Sequence, residues 1–404
     1  MRWNWQRPDW PNFTWNAARL ARAEERFLLG GGVLIGTAKH LGSAELELLT
    51  VDEMSIEALT TSEIEGEILN RASVQSSIQR QLGLAADRRR VAPAEQGIAE
   101  LMVALYRSIP NSLSTELLFD WHRMVMAGRI DLHDVGSYRT GTEPMQIVSG
   151  AIYAPKVHYE APPSERVSSE MERFIAWFNR TAPGGPEPLP ALTRAGLAHL
   201  HFESIHPFED GNGRIGRAIA EKALVQNFGQ TILIALGAAI LAHHRSYYDA
   251  LEAAQKRHEV TEWLAWFAGI AIEAQLRTTA QVEFLIDKTK LLDQLRGKLN
   301  ARQESVILRM FKEGPEGFKG GLSAGNYSKI ADSSPATTTR DLTDLVEKGA
   351  LTRAGERKHA RYALNLPLRP VRRIVIDEKG EIVDSATRSL ADEEMTEVTY
   401  LPRI

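Results

Sequence analysis

Apolar residues recur at helical spacing along most of the chain, so the elements they predict are mainly α-helices. Residues 16–44 predict a helix that is irregular at Gly30-Gly31-Gly32. An acidic helical pattern follows from Ser43 to Leu69. Helical spacing returns at Ser73–Leu82 and Gln96–Tyr106, with a solvated link at Asp87-Arg88-Arg89-Arg90 and Ala92-Pro93. Ser114 reads as an N-cap for a helix whose inner face is Leu117, Leu118, Trp121, Met124 and Val125. The period then changes. Met145–Gly150 and Ile152–Pro155 are short β-type runs separated by glycine, which predict a hairpin. Residues 164–182 are helical again, and Pro183–Pro190 is a stiff loop. Leu192, Ala195, Ala198, Phe202 and Ile205 predict one helix, and Ala218, Ile219, Ala223 and Leu224 the next. The apolar run Thr231–Leu241 reads as buried, and Glu262–Leu276 closes this body.

Residues 277–300 predict a charged helical connector. Three helices follow, at Glu304–Phe311, Asn326–Ala331 and from the Ser334-Pro335 cap to Lys348. A β wing over Ala350–Leu364 completes a small winged-helix unit of α+β type. A hairpin around Glu378-Lys379-Gly380 and an acidic tail end the chain. The expected organisation is an N-terminal region 1–110, a helical core 111–276 with a hairpin, the connector 277–300, the winged helix 301–370, and a hairpin and tail 371–404.

Composition narrows the chemistry. With 404 residues the chain is long enough for two or three domains. It has no cysteine, which excludes thiolate catalysis and cysteine-based metal sites. Net charge is -4, so there is no global pull toward nucleic acid or membrane. The first ten residues lack the apolar core of a signal peptide, and no apolar run is long enough to span a bilayer; a cytoplasmic protein without membrane contact is expected. Trp3, Trp5, Trp10 and Trp15 are expected to pack on the body and pin the terminus. The wing is basic, with Arg353, Arg357, Lys358 and Arg361, whereas Asp341, Asp344 and Glu347 offset Arg340 and Lys348 on the third helix. Contact with DNA and contact with protein both stay open.

The densest chemistry lies in the run His206-Pro207-Phe208-Glu209-Asp210-Gly211-Asn212-Gly213-Arg214-Ile215-Gly216-Arg217. Glycines let backbone N–H groups approach a phosphate, and a helix N-terminus adds positive potential. Arg214 and Arg217, three apart, can reach one anion. Asp210 is placed to hold a divalent cation and His206 to move a proton. A hydrolytic metal at His199, His201 and His206 is a competing reading, but zinc helices favour pairs four apart and these spacings fit poorly. A nucleotide-sensing DNA-binding regulator without transferase activity is a second competitor.

The same run fills every fixed position of His-x-Phe-x-(Asp/Glu)-Gly-Asn-Gly-Arg-x-x-Arg and resembles the signature of the Fic (filamentation induced by cAMP) family. The resemblance implies a Fic helical core with a β-hairpin flap over the active site. It also implies transfer of AMP from ATP, with Mg²⁺, to a Ser, Thr or Tyr hydroxyl of a target protein. By the same resemblance His206 is the base and Asp210 the metal ligand. The backbone of Gly211, Asn212 and Gly213, with the Asn212 side chain, cradles phosphate oxygens. Arg214 takes the β-phosphate side and Arg217 the γ-phosphate, while Phe208 anchors the loop. His244–Leu251 resembles the segment bordering the adenine pocket, which places Tyr247 and Tyr248 at the base. Thr61-Ser62-Glu63-Ile64-Glu65-Gly66 is similar to the family's inhibitory motif (Ser/Thr)-x-x-x-Glu-(Gly/Asn). Thr61, Glu65 and Gly66 would then restrain the enzyme in cis, with Glu65 pairing bidentately with Arg217. Glu65 could also orient water for removal of AMP. Related proteins often form homodimers.

Overall fold

The computed structural model describes residues 2–86, 90–149, 155–229, 234–315, 317–318, 320–367, 369 and 372–386. Arg88 and Arg89 of the basic link, the hairpin tip 150–154, the start of the apolar run at 231–233 and the acidic tail after 386 lie outside the described residues. The chain is mainly helical and divides into two compact units. One combines the chain up to Ile35, Glu47–Leu276 and the segment from Arg372; the other combines Gly36–Leu46 and Arg277–Val371.

The first unit holds α1 (Ala17–Ala38) up to Ile35, α2 (Ser43–Ile64) from Glu47, and α3 (Arg71–Gln81). The expected irregularity at Gly30-Gly31-Gly32 is absent, because α1 runs straight through it. Packing supplies the reason. A Cβ at Gly30 would sit 2.2 Å from Gln275 Oε1, and one at Gly31 would sit 2.3 Å from the Phe228 ring. These glycines buy close approach rather than a bend. Next come α4 (Pro93–Ser108) and α5 (Thr115–Val125), the latter capped by Ser114 Oγ, which accepts from Leu117 N at 3.2 Å.

β1 (Gln146–Ser149) and β2 (Lys156–Glu160) pair antiparallel. Ile147 faces Tyr159 and Val148 faces Val157, so His158 is the extra residue of a bulge. Its Nε2 meets Ser149 Oγ at 2.6 Å, and its Nδ1 meets Glu252 Oε2 at 2.7 Å. The N-terminal tryptophans pack against this neighbourhood. Trp3 lies edge-on to Tyr159 at 5.3 Å, Trp5 Nε1 donates to Glu160 O, and Trp10 Nε1 donates to Glu170 Oε2 at 2.9 Å.

α6 (Ser164–Arg180) leads to the central pair α7 (Ala191–Ile205) and α8 (Asn212–Val225). Every residue of α7 is buried. Its N-terminal N–H groups therefore need partners inside the protein. Glu24 on α1 supplies them, accepting from Leu192 N at 2.9 Å, Thr193 N at 2.7 Å and Thr193 Oγ1 at 2.8 Å. Glu24→Ala is expected to lower the unfolding free energy by about 2 kcal/mol, the usual cost of stranding buried donors. Urea denaturation measures it, and an unchanged midpoint contradicts the cap. α9 (Leu236–Ala242), α10 (His244–Ala254) and α11 (Thr261–Leu295) follow. α11 is one 35-residue helix where the pattern predicts a closing helix and a separate connector.

In the second unit, α12 (Ala301–Phe311), α13 (Ala324–Ala331) and α14 (Pro335–Glu347) enclose Val306, Ile307, Met310, Tyr327, Leu342 and Leu345. Ser334 Oγ caps α14 by accepting from Thr337 N at 3.3 Å. β3 (Leu351–Ala354) and β4 (Arg361–Leu364) form an antiparallel pair, and Leu322 bridges to Tyr362. Two of the three acidic residues of α14 are engaged within the unit: Asp341 by Arg302 and Tyr327, Asp344 by Lys348 and Gln303. The C-terminal hairpin, Arg372–Ile376 with Ile382–Ala386, belongs to the first unit, where Arg19 Nε donates to Asp377 O at 2.9 Å.

Candidate active site

α7 ends at Ile205, and His206 caps it with φ 49°, a left-handed conformation uncommon for a residue with a side chain. The His206 N–H bonds Phe202 O at 2.9 Å. Arg139 holds the turn from outside. Its Nε donates to His206 O at 2.8 Å, its Nη1 to Ser164 Oγ at 3.0 Å and its Nη2 to Pro162 O, while its own N–H donates to Pro207 O at 3.0 Å. The loop then folds over Phe208, which is fully buried and stacked on His122 with ring centroids 4.1 Å apart.

Asn212 closes the loop. Its Oδ1 accepts from Phe208 N and its Nδ2 donates to Phe208 O, both at 2.9 Å. Both ends of this amide are therefore engaged with loop backbone, where the resemblance assigned the side chain to phosphate oxygens. Gly211 stands at φ 82°, and a Cβ there would approach Met126 Cε to 2.8 Å. The left-handed backbone is what favours glycine at this position.

His122 braces the loop through a defined tautomer. Gly136 N donates to its Nδ1 at 2.9 Å, so the proton is on Nε2, which donates to Asp210 O at 3.1 Å. Burial lowers its pKa to about 4, so the ring is neutral. Burial, followed by the nearby Arg139 charge, likewise lowers His206 to about 4. His206 Nδ1 lies 3.8 Å from Glu203 Oε2 and has no hydrogen-bond partner among the described residues. Burial first, then the Glu65 charge, raises Glu203 to about 8.

Asp210 is partly exposed. Its Oδ2 pairs with Arg129 Nη1 at 2.6 Å, and its Oδ1 lies 3.8 Å from Arg214 Nη2. Burial pushes its pKa up, but the Arg129 hydrogen bond, Arg214 and the Gly211 N–H outweigh it, and the net shift is downward. A single ionised carboxylate at a phosphate-type loop suits Mg²⁺, which commonly takes one or two carboxylates and fills its shell with phosphate and water. No group of three His, Asp or Glu that could hold a metal occurs among the described residues. His199 instead bonds Tyr247 Oη at 2.8 Å, and His201 lies edge-on to Trp10 and Phe174. His199 and His201 of the hydrolytic reading thus have separate partners, away from His206.

The end of α2 reaches the two arginines of α8. Gly66, at φ 79°, terminates the helix: Gly66 N donates to Glu63 O at 2.9 Å and Glu67 N to Ser62 O at 3.0 Å. This pair of bonds is a Schellman motif, which explains a glycine there. Arg217 is fully buried. Its Nε donates to Thr61 Oγ1 at 2.7 Å, and its Nη2 donates to Thr61 O at 2.8 Å and Glu65 Oε1 at 2.7 Å. The pairing with Glu65 thus uses one nitrogen rather than the expected two, with Nε on Thr61 and Nη1 without a hydrogen-bond partner among the described residues. Burial alone would lower the Arg217 pKa, but Glu65 and the neighbouring tyrosines raise it. A Cβ at Gly213 would come within 2.2 Å of Glu65 Oε1, so only glycine admits the carboxylate. One turn earlier, Arg214 Nη1 donates to Glu67 Oε2 at 2.9 Å.

Tyr247 and Tyr248 diverge. Tyr247 is buried on His199, whereas Tyr248 is exposed beside His244, whose Nε2 meets Ile64 O at 3.3 Å. The structure gathers His206, Asp210, Gly211, Asn212, Gly213, Arg214, Arg217, Thr61, Glu65 and Gly66 around one loop. It adds Arg139, His122, Arg129 and Glu67, which the sequence pattern did not single out.

Residues 112–224, α5 through α8, match the model of the Fic/DOC family. That stretch of the chain is similar to the Fic/DOC domain. Residues 3–84, which hold Thr61, Glu65 and Glu67, match a domain of unknown function (DUF4172). Over 139 residues the chain is 29% identical to protein adenylyltransferase Fic of Culex quinquefasciatus, covering 34% of this chain and 24% of that protein. Over 117 residues it is 26% identical to protein adenylyltransferase fic-1 of Caenorhabditis briggsae, covering 29% of this chain and 20% of that protein. The match thus spans about a quarter or less of each relative. A crystal structure of a Fic family protein from Desulfovibrio desulfuricans G20 is 21% identical with TM-score 0.47, covering 88% of this chain and 98% of that one. Arg214 and Arg217, within the stretch that matches the Fic/DOC model, are thus engaged by Glu67 and Glu65 of the stretch that matches DUF4172.

Proposed function

We propose that this chain is a protein adenylyltransferase, moving AMP from ATP to a Ser, Thr or Tyr hydroxyl of a target protein. The observation that carries this reading is the neutral His206 beside a glycine loop whose following helix buries Arg214 and Arg217. His206 takes the proton of the incoming hydroxyl. Its oxygen attacks the α-phosphorus, and the bond to pyrophosphate breaks. The N–H groups at the start of α8 face the phosphate oxygens, with Arg214 toward the β-phosphate and Arg217 toward the γ-phosphate. Arg139 and His122 keep the loop in shape. Asp210 would hold Mg²⁺, which when bound offsets phosphate charge. Glu65 restrains the reaction by occupying Arg217 and, in the reverse direction, orients water for removal of AMP.

The test is incubation of the Glu65→Gly variant with ATP, Mg²⁺ and lysate, followed by peptide mass spectrometry. AMP on a hydroxyl side chain supports the reading; another transferred group, or none, contradicts it.

The histidine also sets a pH dependence. A general base works in its neutral form, and burial lowers His206 from its ordinary value of about 6.5 to about 4. The neutral form therefore persists as pH falls below the ordinary histidine range. The acid limb of the labelling rate of Glu65→Gly is expected near pH 4; a half-loss at an ordinary histidine pKa contradicts the assignment.

A further inference from the structure

Glu67 stands outside the inhibitory motif, yet it engages a signature arginine as Glu65 does. Its Oε2 is 2.9 Å from Arg214 Nη1. Its position follows from the helix end. The left-handed Gly66 turns the chain, and the Glu67 N–H is pinned to Ser62 O. Two carboxylates flanking one glycine thereby meet two arginines one helical turn apart. A single short segment, Thr61–Glu67, covers both cations.

The site also has depth. The side chains of Asp210, Arg214 and Arg217 are 38%, 8% and 1% exposed, so the series runs inward along α8. Glu67 covers the middle position and Glu65 the deepest. The phosphates of a nucleotide laid along this series would meet Arg214 before Arg217.

We propose that Glu67 is a second restraining carboxylate and a specificity-determining residue for the nucleotide. A nucleoside diphosphate has to displace Glu67 alone, whereas a triphosphate has to displace both Glu67 and Glu65. The resting protein therefore discriminates against triphosphate more strongly than against diphosphate. This inference rests on the nucleotide-transfer reading and adds to it a residue and a substrate class.

The test is titration calorimetry of the full chain with ADP and with ATP, each with Mg²⁺. The variants are Glu67→Gln, Glu65→Gln, the double change, and Glu63→Gln as an exposed control on the same turn. Glu67→Gln is expected to tighten ADP by about tenfold, the usual worth of one charge-assisted hydrogen bond. Glu65→Gln leaves ADP unchanged. ATP tightens with each variant, the two factors multiply, and Glu63→Gln moves neither affinity. Glu67→Ala, which keeps no acceptor, has to behave as Glu67→Gln, and melting temperatures check that all variants fold. If Glu65→Gln tightens ATP while Glu67→Gln changes neither nucleotide, the inference fails and the transfer reading stands. If no variant binds either nucleotide, the transfer reading fails and takes the inference with it.

Discussion

His206→Ala is expected to lower transfer of α-labelled nucleotide onto protein by ~10²–10⁴-fold, the usual worth of a positioned general base. The loss should lie in kcat, because in the proposed reading the phosphates lie on α8 and not on the imidazole. His206 occupies a strained left-handed position at the end of a fully buried helix, with Arg139 on its carbonyl. Such strain persists only where surrounding contacts enforce it. Nucleotide affinity of the variant, measured by calorimetry, should match the parent. Full labelling by His206→Ala contradicts the assignment of the base.

Glu65→Gly is expected to raise labelling by about tenfold, since removing a charge-assisted partner frees Arg217 at that order of magnitude. Thr61 remains on Arg217 through its hydroxyl and carbonyl, and Glu67 remains on Arg214, so release is partial. A double change at Glu65 and Glu67 should exceed either alone. An unchanged rate for Glu65→Gly removes self-restraint from the account.

Much of the site was legible because one uninterrupted run carries the histidine, the acid, the glycines and both arginines. Local chemistry decides such a run. Gly211 is set by its positive φ, and Gly213 by the approach of Glu65. Thr61, Glu65 and Gly66 were legible only through their resemblance to the family's inhibitory motif; the structure adds that the helix end explains the glycine. What the pattern missed depends on tertiary closure. Arg139 acts on backbone carbonyls, a role any exposed-looking arginine could play. His122 shares a helix with the apolar face read from Leu118, Trp121 and Val125, and only the fold shows that its ring lies under Phe208.

The glycine triplet in α1 shows the same limit from the other side. Its local propensity argues for a break, but packing against Gln275 and Phe228 overrides it. Asn212 is a further case, a polar residue at the loop that spends both ends of its amide on the backbone of Phe208. In the second unit Ser334 was legible as a cap and accepts a backbone N–H as expected; Asn300 and Ser323, which the pattern did not single out, cap their helices in the same way.

The central claim is that the turn between α7 and α8 grips a triphosphate next to His206. A crystal structure of Glu65→Gly grown with ATP and Mg²⁺ tests it most directly. The account predicts phosphate oxygens on the N–H groups of residues 211–213, with guanidinium contacts from Arg214 and Arg217. Density for the nucleotide at any other place, with those guanidinium groups still holding only protein, would contradict it.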